Sequence, residues 1–198
     1  IDNNNHVSQG VSVLINPESN ISISVLPSPS HHSLSFIIRD LLVHVLYLPP
    51  SLSCDDSLAI LNSLPMPSSP HTSTVVCGDL NARCRLFGDS RTTTRGTALL
   101  SWIDERGFQC LNQDLAYGIP TFERYIDSVP QESIIDLFLM SPPPAQATLA
   151  VSSSLSLGSP HRAVTLTLPM VMPYVPPPSH PRRLWNLSRL QERPVLDK

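Results

Sequence analysis

Apolar and polar residues alternate along the first part of the chain, a pattern typical of strands with one exposed face. Residues 10–15 and 21–26 both alternate in this way, and serine fills polar positions in the second segment. Two further apolar runs, 33–38 and 41–48, flank Arg39-Asp40 and predict a hairpin with its tip at that dipeptide. The sequence therefore begins with a series of strands.

Helical spacing replaces this alternation in two places. Leucine recurs at every third position within 55–64, which predicts a short helix capped by Asp55 or Asp56. A second helix is predicted over 94–107, with Thr94 as its cap and a glycine at its end.

Short apolar or alternating runs surround the second helix and continue beyond it. They predict strands at 74–77, 108–111, 133–140, 147–157 and 163–168. Strands that alternate with helices in the middle of a chain are typical of an α/β sheet domain.

Composition supports a compact domain followed by a stiff tail. Hydrophobic residues make up 41% of the 198, which is enough for a core, and proline is abundant at 21 residues. Prolines concentrate after residue 169, so we expect one domain over 1–169 and a proline-rich linker with a basic tail over 170–198. The net charge of -3 gives no general support for binding nucleic acid, because phosphates are attracted by a positive field.

Two further features concern location and redox state. No apolar run reaches the roughly 20 residues that span a bilayer, and no signal-like segment opens the chain. We therefore expect no membrane association and an intracellular location, the nucleus included. The four cysteines lack zinc-ligand spacing and are interpreted as core residues or free thiols, with disulfides left open, as is the oligomeric state.

The segment with the clearest chemical content is Val75-Val76-Cys77-Gly78-Asp79-Leu80-Asn81. An apolar strand here delivers Asp79 and Asn81 to the edge where open α/β sheets bind ligands. Asp79 can accept a proton from water or approach a cation, and Asn81 can donate a hydrogen bond to a phosphate oxygen. Ordinary turn chemistry after a strand would give the same spacing.

Three other segments carry polar residues in similar settings. Tyr47 ends a strand just before Pro49-Pro50, Asp136 lies within an apolar run that predicts a strand, and His161 directly precedes another strand in Gly158-Ser159-Pro160-His161. Taken one by one, Tyr47 is equally well a rim residue and Asp136 a hydrogen-bonded buried acid.

In this order, the four segments resemble the endonuclease/exonuclease/phosphatase superfamily, and the nuclease domains of non-LTR retrotransposon polyproteins most of all. Pro120-Thr121-Phe122, the helix-strand unit 96–111 and the tail segment 182–188 add to the resemblance. The resemblance implies an α/β fold with a two-sheet sandwich flanked by helices, incomplete at its N-terminus. It also implies a nicking endonuclease that acts on DNA by phosphodiester hydrolysis.

The resemblance further implies a role for each site residue. Asp79 would orient the attacking water, Asn81 and Tyr47 would contact the scissile phosphate, and His161 would stabilise the transition state. Asp136 would hydrogen-bond His161 and fix its tautomer. A hydrated Mg²⁺, or Mn²⁺ in its place, would neutralise the charge that develops on the leaving oxygen.

The chain departs from the family pattern at its metal site. The family has Asp where this chain has Pro160, and proline offers no side-chain oxygen. The family's first strand and its metal-binding Glu have no counterpart here, and Glu18 is a poor substitute. We therefore expect impaired metal binding and impaired hydrolysis. Two alternatives remain, a phosphomonoesterase of the same superfamily and an inactive domain that binds nucleic acid or protein.

Overall fold

The computed structural model describes residues 10–19, 21–67, 73–142, 146–156 and 158–169. The predicted linker and basic tail at 170–198 lie outside the described residues, so the domain boundary stays a prediction. In the part of the chain that the structure describes, no helix has the length and apolar character needed to cross a bilayer.

The described elements form an α/β fold. The strands are β1 (Ile23–Leu26), β2 (Ser33–Ile38), β3 (Leu41–Tyr47), β4 (Ser73–Asp79), β5 (Gln109–Cys110), β6 (Phe122–Ile126), β7 (Val129–Ser133), β8 (Asp136–Ser141), β9 (Thr148–Ser152) and β10 (Ala163–Thr167). The helices are α1 (Cys54–Asn62), α2 (Thr94–Arg106) and α3 (Leu111–Leu115).

A six-stranded mixed sheet organises the domain. Its strand order is β1-β2-β3-β4-β8-β5, with β3 and β4 parallel and the other neighbours antiparallel. The pairs β9-β10 and β6-β7 form two separate two-stranded sheets. The parallel pair matters for the site, because it brings the carboxyl ends of β3 and β4 to the same edge.

Each face of the large sheet packs against a different layer. On one face, Leu46, Val76 and Leu139 join an apolar core with residues of α1 and α2 such as Leu61 and Trp102. On the other face, Phe36, Val43 and Met140 pack with Leu111 of α3 and Leu149 of β9. The β9-β10 pair thus lies against the large sheet, which gives the predicted sandwich of two sheets flanked by helices.

Both longer helices begin at a capping side chain that lies N-terminal to the predicted cap. Ser53 caps α1, since its hydroxyl accepts a hydrogen bond from the Asp56 N–H, and neither Asp55 nor Asp56 is the cap. Thr93 rather than Thr94 caps α2 through a hydrogen bond from the Gly96 N–H. Gly107 ends α2 in the left-handed conformation at φ 67°, which glycine adopts without strain.

The strand expected at 10–15 does not form in the structure. These residues pair with no described strand, and the Leu14 side chain is 95% exposed. Alternation predicts which side chains would share a face, but a strand also needs a neighbour to accept its backbone hydrogen bonds. Val13 alone of this alternating segment packs against the core around Phe36.

Candidate active site

Strand register aligns three of the predicted site residues in one row. Tyr47 on β3 pairs with Asp79 on β4, and Asp79 pairs with Asp136 on β8. Paired residues of neighbouring strands lie side by side, within about 5 Å at their Cβ atoms. Three polar side chains therefore lie side by side at one edge of the sheet, Tyr47 and Asp79 at the ends of their strands and Asp136 at the start of its own.

A tight backbone turn follows Asp79. Gly78 has a φ of 130°, and a Cβ atom at this position would lie 2.0 Å from the Leu46 carbonyl oxygen. Asn81 takes a left-handed conformation at φ 47°, and its N–H donates to Asp79 Oδ1 at 3.1 Å. The Asn81 Nδ2 donates to the carbonyl oxygen of Leu48 at 3.1 Å. The turn chemistry that the spacing allowed is thus present, and it fixes Asp79 and Asn81 relative to each other.

Asp136 is the first residue of β8, so it lies at the start of the predicted strand and not in its interior. The apolar run around it is divided, because Ser133 ends β7 and a short connection precedes β8. The Thr121 hydroxyl accepts hydrogen bonds from the N–H groups of Ile135 and Asp136 at 3.1 and 3.0 Å. Asn112 Nδ2 donates to the Asp136 carbonyl oxygen at 3.0 Å. These two buried side chains hold the start of the strand.

The His161 side chain contacts the carboxylate of Asp136. Its Nδ1 lies 3.1 and 3.0 Å from the two carboxylate oxygens of Asp136. The His161 ring contacts the Phe122 ring edge to face, with centroids 4.8 Å apart. The Glu123 N–H donates to the Pro160 carbonyl oxygen at 2.8 Å, so β6 supports the loop that carries His161.

Electrostatics distinguish the groups of this cluster. The pKa of Asp79 is raised to about 6, mainly by burial and also by the charge of Asp136, while His161 and Asn81 oppose the shift. The hydrogen bond with Asp136 raises the pKa of His161 above its usual value, and burial opposes that shift. Burial and the nearby Asp79 charge raise the pKa of Tyr47. Near neutral pH, Asp79 is therefore a carboxylate that takes up a proton readily, and His161 is biased towards its charged form.

An open cleft of about 640 Å³ contains most of these groups. Among its lining residues are Tyr47, Asp79, Asn81, Arg91, Arg124 and His161. Asp136 is not among the lining residues and reaches the cleft through its contact with His161. The lining arginines Arg83, Arg91 and Arg124 and the imidazole of His161 are suited to a phosphodiester, whose negative oxygens need positive and hydrogen-bonding partners.

Asp79, Asp136 and His161 offer the groups of a possible metal site. One donor atom each from Asp79, Asp136 and His161 lies within 4.8 Å of the others. Mg²⁺ prefers six oxygen ligands, however, and both Asp136 oxygens face His161 Nδ1. Pro160 contributes no side-chain oxygen, and its carbonyl oxygen accepts the Glu123 N–H. Among the described residues, Asp79 is the one carboxylate of the cluster that does not face the imidazole, and its Oδ1 accepts the Asn81 N–H. This donor set does not fit a resident Mg²⁺ or Mn²⁺ ion.

Comparison with solved structures identifies the fold. The endonuclease domain of TRAS1, a telomere-specific non-LTR retrotransposon, superimposes with a TM-score of 0.66 at 18% identity, over 77% of this chain and 70% of that one. An AP endonuclease from Archaeoglobus fulgidus superimposes with a TM-score of 0.57 at 15% identity, over 76% and 71% of the two chains. The fold is that of the endonuclease/exonuclease/phosphatase superfamily.

Sequence comparison assigns the chain to a protein family within this fold. The sequence profile of a family described as endonuclease-reverse transcriptase matches residues 41–165, more than half of the chain. The chain therefore belongs to the endonuclease-reverse transcriptase family. No curated protein sequence matches it.

The structure brings all five predicted site residues to one edge of the sheet, while their catalytic roles stay predictions. It also adds supporting residues that sequence reasoning missed, among them Thr121 and Asn112. Thr121 stood in a segment that contributed to the family resemblance, but nothing in its spacing indicated a bond to Asp136. Asn112 could have been noticed as an amide directly after an apolar pair, Cys110-Leu111.

Proposed function

We propose that the cleft binds the sugar-phosphate backbone of DNA and hydrolyses its phosphodiester bonds, with a rate limited by an incomplete metal site. The observation that carries this proposal is the His161–Asp136 contact of 3.0 Å beside Asp79. An imidazole, its carboxylate partner and a second carboxylate are the groups that hydrolysis at phosphorus requires. The family membership and the two nuclease folds support the same conclusion.

Asp79 is the proton acceptor in this proposal. General bases work best when their pKa lies near the operating pH, and burial brings the pKa of Asp79 to about 6. At pH 7 to 8 the carboxylate is mostly charged and accepts the proton of a water molecule as that water attacks phosphorus. The phosphorus–oxygen bond to the leaving sugar then breaks, and the leaving oxygen must gain a proton or a positive partner.

His161 and its neighbours stabilise the charge on the phosphoryl oxygens. Because Nδ1 donates to Asp136, the remaining proton of a charged imidazole sits on Nε2, where it is available to the phosphate. Asn81 Nδ2 donates one hydrogen to the Leu48 carbonyl oxygen, and its second hydrogen would donate to a phosphate oxygen. Tyr47 contributes its hydroxyl from the adjacent strand end.

The leaving oxygen is where this site is weak. A divalent ion usually neutralises that oxygen in hydrolysis of this kind, and the described residues do not fit a resident ion. Loss of such stabilisation costs several kcal/mol, and each 1.4 kcal/mol or so is a factor of ten in rate. Because Pro160 offers no side-chain oxygen to a divalent ion, a second candidate function is a domain that binds DNA without cleaving it efficiently.

Nicking of a supercoiled plasmid with Mg²⁺ or Mn²⁺ tests the proposal. We expect slow nicking by the unaltered chain and much faster nicking by Pro160→Asp. The matched control is Pro29→Asp, which makes the same change in an exposed loop and should have no effect. Asp79→Ala in the Pro160→Asp chain should abolish the gain.

Two results would overturn parts of the proposal. Rapid nicking by the unaltered chain, lost in Asp79→Ala and His161→Ala, would refute the incomplete metal site and leave a working nuclease. DNA binding without nicking, even in Pro160→Asp, would favour the binding domain.

A further inference from the structure

Arg95 lies in the first turn of α2, where that helix is fixed against the chain that follows Asn81. The Thr93 N–H donates to the Arg83 carbonyl oxygen at 3.0 Å. A Cβ atom on Gly96 would lie 1.9 Å from the same oxygen, so only glycine allows this close approach. The start of α2 is therefore held in position beside the Asp79–Asn81 turn.

From this position the Arg95 guanidinium reaches the loop between β3 and α1. Its Nη1 donates to the carbonyl oxygens of Leu48 and Pro49 at 3.3 and 3.2 Å. Its Nη2 donates to the carbonyl oxygens of Pro49 and Leu52 at 3.2 and 2.5 Å. A planar fork of donors suits three carbonyls on one turn of chain better than the point charge of a lysine does.

The Leu48 peptide group connects this clamp to the proposed site. Its carbonyl oxygen accepts from both Arg95 Nη1 and Asn81 Nδ2, the second at 3.1 Å. Its N–H donates to the Asp79 carbonyl oxygen at 2.8 Å. The residue before it is Tyr47, which lines the cleft, whereas Arg95 is not among the lining residues.

We propose that Arg95 is a positioning residue that, by holding the Leu48–Leu52 loop, fixes the side-chain amide of Asn81 and keeps it aimed into the cleft. The consequence for DNA binding rests on the proposed function, but the effect on Asn81 does not. Without Arg95, the Leu48 carbonyl loses its anchor, and Asn81 loses a fixed acceptor for one of its amide hydrogens. The other amide hydrogen, which faces the phosphate in the proposed mechanism, then loses its direction.

The first experiment uses the free chain and needs no activity. The side-chain amide signals of Asn81 are followed by ¹⁵N NMR in the unaltered chain, Arg95→Gln and Arg95→Lys. We expect Arg95→Gln to shift and broaden these signals and Arg95→Lys to do so less. The matched control is Arg106→Gln at the other end of α2, where Arg106 binds the Asn62 side chain at 3.1 Å. It should leave the Asn81 signals unchanged.

The second experiment separates positioning from a merely structural role. Binding of a short single-stranded oligonucleotide is measured for Arg95→Gln alone and combined with Asn81→Ala or with His161→Ala. We expect a loss of roughly threefold to tenfold in affinity, the effect of one hydrogen bond. The loss should persist with His161→Ala and disappear with Asn81→Ala. A structural role would produce the same loss in every background.

The outcomes separate the two proposals. Unchanged Asn81 signals in both Arg95 variants, or an equal loss of affinity in all backgrounds, overturn the positioning role. If Arg95→Gln does not fold, Arg95→Lys decides by the same two readouts. If no form of the chain binds the oligonucleotide, the proposed function fails, and the NMR result alone decides whether Arg95 fixes Asn81.

Discussion

Asp79 and Asp136 are paired on neighbouring strands. The two carboxylates differ in their hydrogen-bond partners. Asp136 has an imidazole partner at 3.0 Å. Asp79 is half-buried beside Asp136, and this environment raises its pKa to about 6 although the Asn81 N–H donates to it. The surroundings therefore give the two carboxylates different roles. Asp136 binds His161, and Asp79 takes up protons.

The two sides of the cleft are also supported by different parts of the fold. Thr121 and Asn112 hold the backbone of Asp136. The Leu48 peptide, anchored by Arg95, holds the turn of Asp79 and Asn81. Because different hydrogen bonds hold Asp136 and the Asp79–Asn81 turn, a substitution can remove one set and leave the other in place. The two carboxylates can therefore be tested separately.

The largest expected effect is a difference in nicking rate between variants of Asp79 and of Asp136. In the Pro160→Asp chain, Asp79→Asn should lower the nicking rate by about 10²- to 10⁴-fold, the usual contribution of a general base. Asp136→Asn should lower it by about 10- to 100-fold, because it acts through His161. Plasmid nicking measures both, and Asp104→Asn on the exposed face of α2 is the control. Equal losses for the two site variants would remove the division of roles.

A second prediction concerns stability and pH. The folded pKa of Asp79, about 6, exceeds the ordinary value of 3.8, so its contribution to folding is present at low pH and is lost as pH rises from 3.8 through 6. Asp79→Asn should therefore raise the free energy of unfolding at pH 8 by about 1–2 kcal/mol, allowing for partial exposure, and change it little near pH 3.5.

Urea denaturation at the two pH values measures this difference. The control is Asp104→Asn, which removes the same charge from an exposed position and should behave alike at both. A loss of stability at pH 8 in Asp79→Asn would mean that the charged carboxylate has a stabilising partner, contrary to the account.

The third prediction disturbs only the Asp136 side. Thr121→Val keeps the shape of a fully buried side chain and removes the acceptor of two N–H groups, so it should cost about 1–3 kcal/mol of unfolding free energy. Thr121→Ser keeps the hydroxyl and should cost less. Urea denaturation compares them, and a Ser variant less stable than the Val variant would show that the methyl group matters more than the hydrogen bonds.

The smallest expected effect is a shift in the titration of His161. Asp136→Asn removes the partner whose hydrogen bond raises the pKa of His161, so the pKa should fall. Proton NMR of the imidazole measures the change. Asp114→Asn, at an exposed position of α3, should leave the titration as it is. An unchanged pKa in Asp136→Asn would show that the contact contributes nothing in solution.

Local signals explain the parts of the fold that the sequence predicted well. The hairpin of β2 and β3 is marked by two apolar runs around Arg39, and α2 by helical spacing that ends at Gly107. The β6-β7 hairpin was not predicted, because its strands are mostly exposed and do not alternate cleanly. Its turn uses Asp127-Ser128 with positive φ angles of 50° and 63°, where glycine would have been a clear signal.

The site was predictable to the extent that a family pattern could be matched. Resemblance named the five residues, but the row of Tyr47, Asp79 and Asp136 depends on the register of three strands, which no local segment contains. The residues that hold the site in position were harder still to predict from the sequence. Thr121 and Arg95 act on residues 15 and about 45 positions away, and hydrogen bonds of that range leave no periodic signal.

Site-resolved titration of the two carboxylates tests the central claim most directly. The side-chain ¹³C signals of Asp79 and Asp136 are followed by NMR in the unaltered chain between about pH 3 and 8, a range that spans ordinary carboxyl pKa values. We predict a titration midpoint of about 6 for Asp79, and a response of the Asp136 signal when His161 loses its proton. A midpoint near 3.8 for Asp79, together with an Asp136 signal insensitive to His161, would contradict this prediction.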